Sequence, residues 1–186
     1  MKIKIDNIEN KKYYIDETYY IMSNYRFLYK RPNRKIRKKT TSLIYFFAFI
    51  LLYLLAVSYL AIVDKSFIYY ICIGISIVCI AFSISKYIVV KKNIDMYSNT
   101  KTNSDLEIDE NKVVLHNNVI KQEITINWED IDKILVSENC IVFMERIKKN
   151  APYTAITIPR TIEEKVIKAL EKYNKKELLI YNKKNM

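Results

Sequence analysis

The scarce residues of this 186-residue chain are one histidine, three cysteines, one tryptophan and one glycine, and their positions bound its chemistry. Nucleophilic catalysis needs a tuned base beside a hydroxyl or thiol. His116, the only imidazole, falls in His116-Asn117-Asn118, an Asn-rich stretch that reads as a hairpin turn, and is expected to be solvated there. Cys72, Cys79 and Cys140 fit neither a metal-ligand spacing nor a disulfide framework, and suit a reducing compartment. Gly74 lies within an apolar run, so no glycine-rich loop is available to cradle a phosphate. Glu129-Asp130 sits between two strand signals, where Asp supports a turn by local hydrogen bonding. Trp128 is expected in a core, with its indole N–H on a backbone acceptor. These residues point to no enzyme, no catalytic group, no metal site and no cofactor.

Two apolar stretches must position everything else. Residues 43–63 read LIYFFAFILLYLLAVSYLAIV without a charge. As a helix they span roughly 31 Å, the hydrocarbon thickness of a bilayer. Residues 66–86 follow after only Asp64 and Lys65, with Ser66 as a cap for the second helix. A single long helix would hold Asp64 and Lys65 near mid-membrane, at about 2.5–3.5 kcal/mol per charge. Two antiparallel helices avoid that cost, so residues 41–92 are expected to form a transmembrane hairpin.

Charge sets its orientation. Lys30–Lys39 carries seven basic residues in ten, and Lys86, Lys91 and Lys92 follow the second span, whereas the connecting turn is neutral. Positive flanks stay on the cytoplasmic side, so both termini are expected there, in a cell membrane. Some forty residues precede the first span and no small-residue cleavage site follows it, which argues against a signal peptide. The net charge of +11 does not indicate nucleic acid: residues 1–100 hold sixteen basic and six acidic side chains, leaving fifteen and fourteen for the remainder. Within the basic run, Arg34, Lys35, Arg37, Lys38 and Lys39 form a candidate site for anionic lipid headgroups, each cation adding about 1 kcal/mol near such a surface. The same run also reads as a topology signal alone.

Small residues recur on one face of the second span, at Cys72, Ser76, Cys79 and Ser83, with Gly74 and Ala81 beside them and Ala48 and Ala56 on the first span. They are expected to pack the two helices together, or against a second copy of the chain. No charged residue lies inside either span short of Lys86, which closes the second, and this disfavours an ion path.

Residues 1–40 hold a short alternating strand signal at Lys2–Asp6. A helix follows from a cap at Asp16 to about Tyr29, with Glu17 against its N-terminal dipole and Pro32 as its stop. Its many tyrosines suit either a membrane interface or packing against a cytoplasmic domain. After a polar linker at 93–104, residues 105–186 change period. Short strands are expected at 106–109, 112–115, 119–126, 131–137, 140–146 and 153–158. A helix capped by Thr161 ends the series, with Glu163 and Glu164 in its first turn. The fold class is therefore membrane α+β: a two-helix hairpin plus a small cytoplasmic antiparallel β domain, a partly open barrel with one C-terminal helix.

The run Ile124-Thr125-Ile126-Asn127-Trp128-Glu129-Asp130-Ile131, followed by an apolar hairpin and Ile156-Thr157-Ile158-Pro159-Arg160 before a helix, resembles the YcxB-like C-terminal domain. That resemblance implies a small bacterial membrane protein with two membrane helices and a pleckstrin-homology-like (PH-like) domain. It transfers no catalytic residues. The family often continues after the basic residue with a second basic residue and an aromatic, whereas here Thr161-Ile162-Glu163 follow Arg160.

The leading expectation is a membrane-anchored, non-catalytic interaction module. The alternatives are a membrane-embedded regulatory, stress or immunity component acting through its helices in a complex, and a pore former. Expected partners are the bilayer, its anionic headgroups, a membrane or cytoplasmic protein, or another copy of the chain, and not nucleic acid.

Overall fold

Ile3 and Ile5 alternate with Lys2 and Lys4, and this apolar face seats the segment as strand β1 (Lys2–Ile5) of a sheet in the computed structural model of the chain. The structure describes residues 1–6, 8, 10–34, 36, 38–100, 102–148 and 152–182. Helices α1 (Lys11–Ser23) and α2 (Tyr25–Lys30) follow, with Pro32 close behind. The start of α1 is at Asn10, in the left-handed region at φ 53°, rather than at Asp16. Asp16 and Glu17 therefore lie in mid-helix, and both are buried instead of facing a helix dipole.

The apolar pair forms α3 (Lys39–Asp64) and α4 (Phe67–Asn99), of 26 and 33 residues. Between them Lys65 turns left-handed at φ 50° and donates its N–H to the Ala61 carbonyl at 3.1 Å. The Ser66 carbonyl accepts the Tyr69 N–H and so opens α4. Because α4 continues through Lys86, Lys91 and Lys92 to Asn99, the linker expected at 93–104 shrinks to residues 100–103.

Seven further strands follow: β2 (Ser104–Ile108), β3 (Lys112–Asn117), β4 (Gln122–Asn127), β5 (Ile131–Val136), β6 (Cys140–Glu145), β7 (Ala155–Pro159) and β8 (Leu179–Tyr181). Between β7 and β8 stand a 3-10 turn (Arg160–Ile162) and helix α5 (Glu163–Lys172). Thr161 lies inside that turn and does not cap the helix, although Glu163 and Glu164 occupy its first turn. His116 belongs to β3, and Val119 and Ile120 to the β3–β4 turn, so the hairpin turns two residues later than the Asn-rich stretch suggests.

The strands build two four-stranded sheets, and the described residues form no closed barrel. The first has order β1-β2-β3-β4, all antiparallel. The second has order β7-β6-β5-β8, with β8 parallel to β5. Two successive tight turns break the ladder between them: Asp130 N–H donates to the Asn127 carbonyl and Ile131 N–H to the Trp128 carbonyl. β5 thereby leaves the plane of β4.

The inner faces share one core. Ile3, Leu106, Ile108 and Ile126 meet Ile134, Phe143, Ile156 and Ile158, and α5 adds Val166, Ala169 and Leu170. The other face of the second sheet is covered as well, with Ile21, Tyr25 and Leu28 of α1 and α2 packed on Leu135, Val142 and Met144. A sheet buried on both sides reads as a continuous apolar run, which is why Cys140–Met144 shows no alternation. The chain thus divides into two units. One comprises Met1–Ile36 with Ser98–Met186, the other Arg37–Tyr97. Residues 1–36 are part of the β unit, and the apolar helices interrupt it between β1 and β2.

Candidate functional site

A dense polar cluster joins α1 to the β5–β6 turn. Glu17, 3 % exposed, accepts hydrogen bonds from Ser137 Oγ, from Asn139 N at 3.2 Å and from Asn139 Nδ2 at 2.6 Å. Cys140 Sγ lies 3.6 Å from the same carboxylate and 3.1 Å from Ser137 Oγ. A carboxylate in a helix interior can bury only where such donors replace water. From the other side of the turn, Arg160 donates Nη1 to the Ser137 carbonyl at 3.2 Å and Nε to Glu163 at 2.7 Å, while its N–H bonds the Asn139 carbonyl. The Ile-Pro-Arg corner is thereby a clamp between the β5–β6 turn and the start of α5.

The chemistry of this cluster is structural. Burial, and then the Glu17 charge, push the Cys140 thiol well above its ordinary value, so it stays neutral, whereas a nucleophilic cysteine needs a lowered one. The Tyr14 hydroxyl, raised by burial, donates to the Thr157 carbonyl at 2.9 Å. Tyr25, also raised by burial, donates to the Glu145 carbonyl at 2.8 Å and stacks on Tyr153 with ring centroids 4.0 Å apart. Of the two settings expected for the N-terminal tyrosines, Tyr14, Tyr20, Tyr25 and Tyr29 occupy the packed one.

His116 sits on β3 with Nδ1 3.3 Å from Glu123 and Nε2 3.6 Å from Glu107, both exposed carboxylates. Among the described residues, no group of three or more His, Cys, Asp or Glu is arranged to hold a metal. Trp128 is a core residue, 5 % exposed, with Nε1 donating to the Asp109 carbonyl at 2.8 Å and its ring edge-on to Phe143.

The basic run crosses the boundary between the units, and each part has its own setting. Arg34 places its guanidinium 4.2 Å from the centroid of Phe27. Its carbonyl accepts from Asn182 Nδ2, as does that of Pro32. Asn182 is fully buried, and its N–H bonds Val136, so the end of β8 pins this part of the run. Lys38 precedes α3 in extended conformation and its carbonyl accepts the Ser42 N–H; Lys39 is the first residue of α3. Lys35 and Arg37 lie outside the described residues.

In the apolar unit, Ser76 and Ser83 are 3 % exposed and donate to the carbonyls of Cys72 and Cys79, one turn back. Cys72 is half-buried. On α3 the buried residues are Ile50, Val57 and Ala61, not Ala48 and Ala56, which are exposed. Cys79, Gly74 and Ala81 also face outward. The outer surface of both helices is apolar, with Ile62 and Phe67 each 75 % exposed. Both helices are long and apolar enough to cross a membrane.

Comparison with models of known protein families, with curated proteins and with solved structures finds no match to this chain. Glu17, Asn139, Arg160 and Asn182 were not singled out as a joint group by sequence reasoning. Apart from the Arg160–Glu163 pair, their partners lie 21 to 150 residues away, and no local signal marks them.

Proposed function

We propose that the chain is a membrane-anchored, non-catalytic interaction module, with the apolar hairpin in a lipid bilayer and the β unit presented at its cytoplasmic face. The observation that carries this reading is the placement of α3 and α4 inside the β unit's own sequence, between β1 and β2. Two covalent connections then hold one folded unit to one pair of spans, and tethering raises the local concentration of a weak binder. The large apolar side chains turned outward on α3 and α4 support lipid as their solvent. The basic residues at Arg34, Lys38, Lys39, Lys86, Lys91 and Lys92 support both termini inside.

Within that class, the YcxB-like family with its PH-like domain is the particular reading we favour. Its supports are the order of elements, Trp128 in the core just before β5, and a helix following the Ile158-Pro159-Arg160 corner. The surface offered to a partner is the outer face of the first sheet, where Glu107, His116 and Glu123 form a polar patch. Photo-crosslinkers at Glu107 and Glu123 in the full-length protein, in intact membranes, test the reading. A discrete adduct to one protein or lipid from position 107 that disappears on Glu123→Ala supports it, and uniform absence of adducts from both positions contradicts it.

A second reading, a component acting through its helices in a larger complex, is favoured by Gly74, Ala81 and Ser85. They lie outward at seven- and four-residue spacing, and a Cβ at Gly74 meets nothing within 4 Å. Crosslinking from Gly74 rather than from the sheet distinguishes it.

A further inference from the structure

α3 and α4 leave a groove between them at the end away from the Lys65 turn. Leu43, Ile44 and Phe47 of α3 and Ser83, Ile84 and Tyr87 of α4 line it, and it has room for about 290 Å³. Its walls are hydrocarbon and aromatic ring. Ser83, its most buried lining residue, donates Oγ to the Cys79 carbonyl at 2.7 Å, so this hydroxyl asks nothing of an occupant. A groove lined in this way favours an apolar chain.

Depth follows from position in the helices. Leu43 opens the first apolar run and Lys86 closes the second, so the groove occupies about the outermost 6 Å of the hydrocarbon, at about 1.5 Å per residue from Leu43 to Phe47. Lys39 stands four residues before Leu43, about 6 Å outside that boundary, within the headgroup layer. Lys86 stands at the boundary itself. Its Nζ lies 4.8 Å from the centroid of Phe82, and its flexible stem allows the ammonium to reach outward. These two cations are gathered without a counter-charge. Lys39 is half-buried, and the charge that acts on it is that of Lys86, of the same sign. Neither helix carries an acid between Lys39 and Val63 or between Phe67 and Ile94. Repulsion between like charges beside hydrocarbon is relieved by an anion held between them.

We infer that the groove seats an acyl chain of one anionic phospholipid, whose phosphate is held between Lys39 and Lys86. The inference rests on the membrane reading of α3 and α4. It differs from a general attraction of the basic run for a charged surface, because chain and headgroup are bound together at one place on the helix pair. A zwitterionic lipid fits the apolar groove equally well but carries its own cation, so the two lysines select the net-anionic headgroup.

The test uses the full-length chain in vesicles of phosphatidylcholine and phosphatidylglycerol, one of the two carrying brominated acyl chains that quench a tryptophan on contact. The reporter is Phe47→Trp in the groove, or Phe49→Trp, 69 % exposed and about 200° round α3 from it. Emission of Trp128, measured in the unsubstituted chain, is subtracted. Expected at 47 is a preference for phosphatidylglycerol of roughly fivefold for each lysine, with none at 49. Lys86→Gln should lower the preference at 47 roughly fivefold, and Lys86→Arg should keep it. No preference at 47, or an equal one at 49, overturns the inference alone. A preference that survives Lys39→Gln and Lys86→Gln together also overturns it. So does quenching at 49 without quenching at 47, since protein then covers the groove. If neither position is quenched by either lipid, the membrane reading itself fails and this inference with it.

Discussion

Replacing Glu17 by alanine tests whether α1 is latched to the second sheet through one carboxylate. The substitution removes the acceptor of three hydrogen bonds, from Ser137 Oγ and from both nitrogens of Asn139. A hydrogen bond to a charged group contributes about 1.5–3 kcal/mol when buried, and Ser137 is only 2 % exposed. Ser137 Oγ retains the Cys140 carbonyl at 3.1 Å as a second acceptor, and Asn139 is half-exposed, so water replaces part of what it loses. Relief from burying a charge offsets a further part. The net destabilisation is about 2 kcal/mol for Glu17→Ala, and about half that for Glu17→Gln, which keeps one acceptor oxygen. Trp128, the sole tryptophan, reports the shared core, so denaturant titration of its fluorescence in the detergent-solubilised full chain reads the effect. The midpoint should fall with little change in slope, because the exposed surface on unfolding is unaltered. An unchanged midpoint for Glu17→Ala refutes the latch.

Three further perturbations probe other joints. Phe143→Ala, at a position of zero exposure between the sheets, should cost about 3–5 kcal/mol, read by the same titration. Cys140, its thiol raised and buried, should resist a thiol-specific chromogenic reagent in the native protein with Cys72→Ala and Cys79→Ala and react fully in denaturant; rapid native reaction contradicts its placement. The Asp109 carboxyl is held below its ordinary 3.8 by the N–H groups of Asn111 and Lys112. A depressed folded value makes its stabilisation full above the unfolded value and lost as pH falls through the folded one. Asp109→Asn should therefore flatten the acid limb of stability below about pH 4, measured by midpoint against pH, and an unaltered limb speaks against that assignment.

Elements with a strong local period were legible in the chain itself. The two apolar runs announced α3 and α4, and β2 through β7 appear close to where alternation and turn residues put them. The helix start at Asn10 was hidden because Asn10 and Asp16 are equally good N-caps by residue type, and tertiary burial of Asp16 and Glu17 decides between them. β8 has three residues and no alternation, and only its parallel pairing with β5 makes it a strand. The membership of β1 in the first sheet depends on pairing across about a hundred residues, as between Ile3 and Leu106, and no sequence pattern encodes so distant a register. The candidate packing face on α4 was half legible. Ser76 and Ser83 point inward, but Cys79, three positions on from Ser76 and so about 60° round the helix, falls on the outer side.

The most direct measurement of the account is the sidedness of three single cysteines, at Asn33, Lys65 and Ser98, in a background without Cys72 and Cys79. A membrane-impermeant maleimide is applied separately to right-side-out and inside-out vesicles. Asn33→Cys and Ser98→Cys should react only from the cytoplasmic face and Lys65→Cys only from the opposite one. Reaction of all three from the same face, or recovery of the chain in the detergent-free soluble fraction, contradicts it.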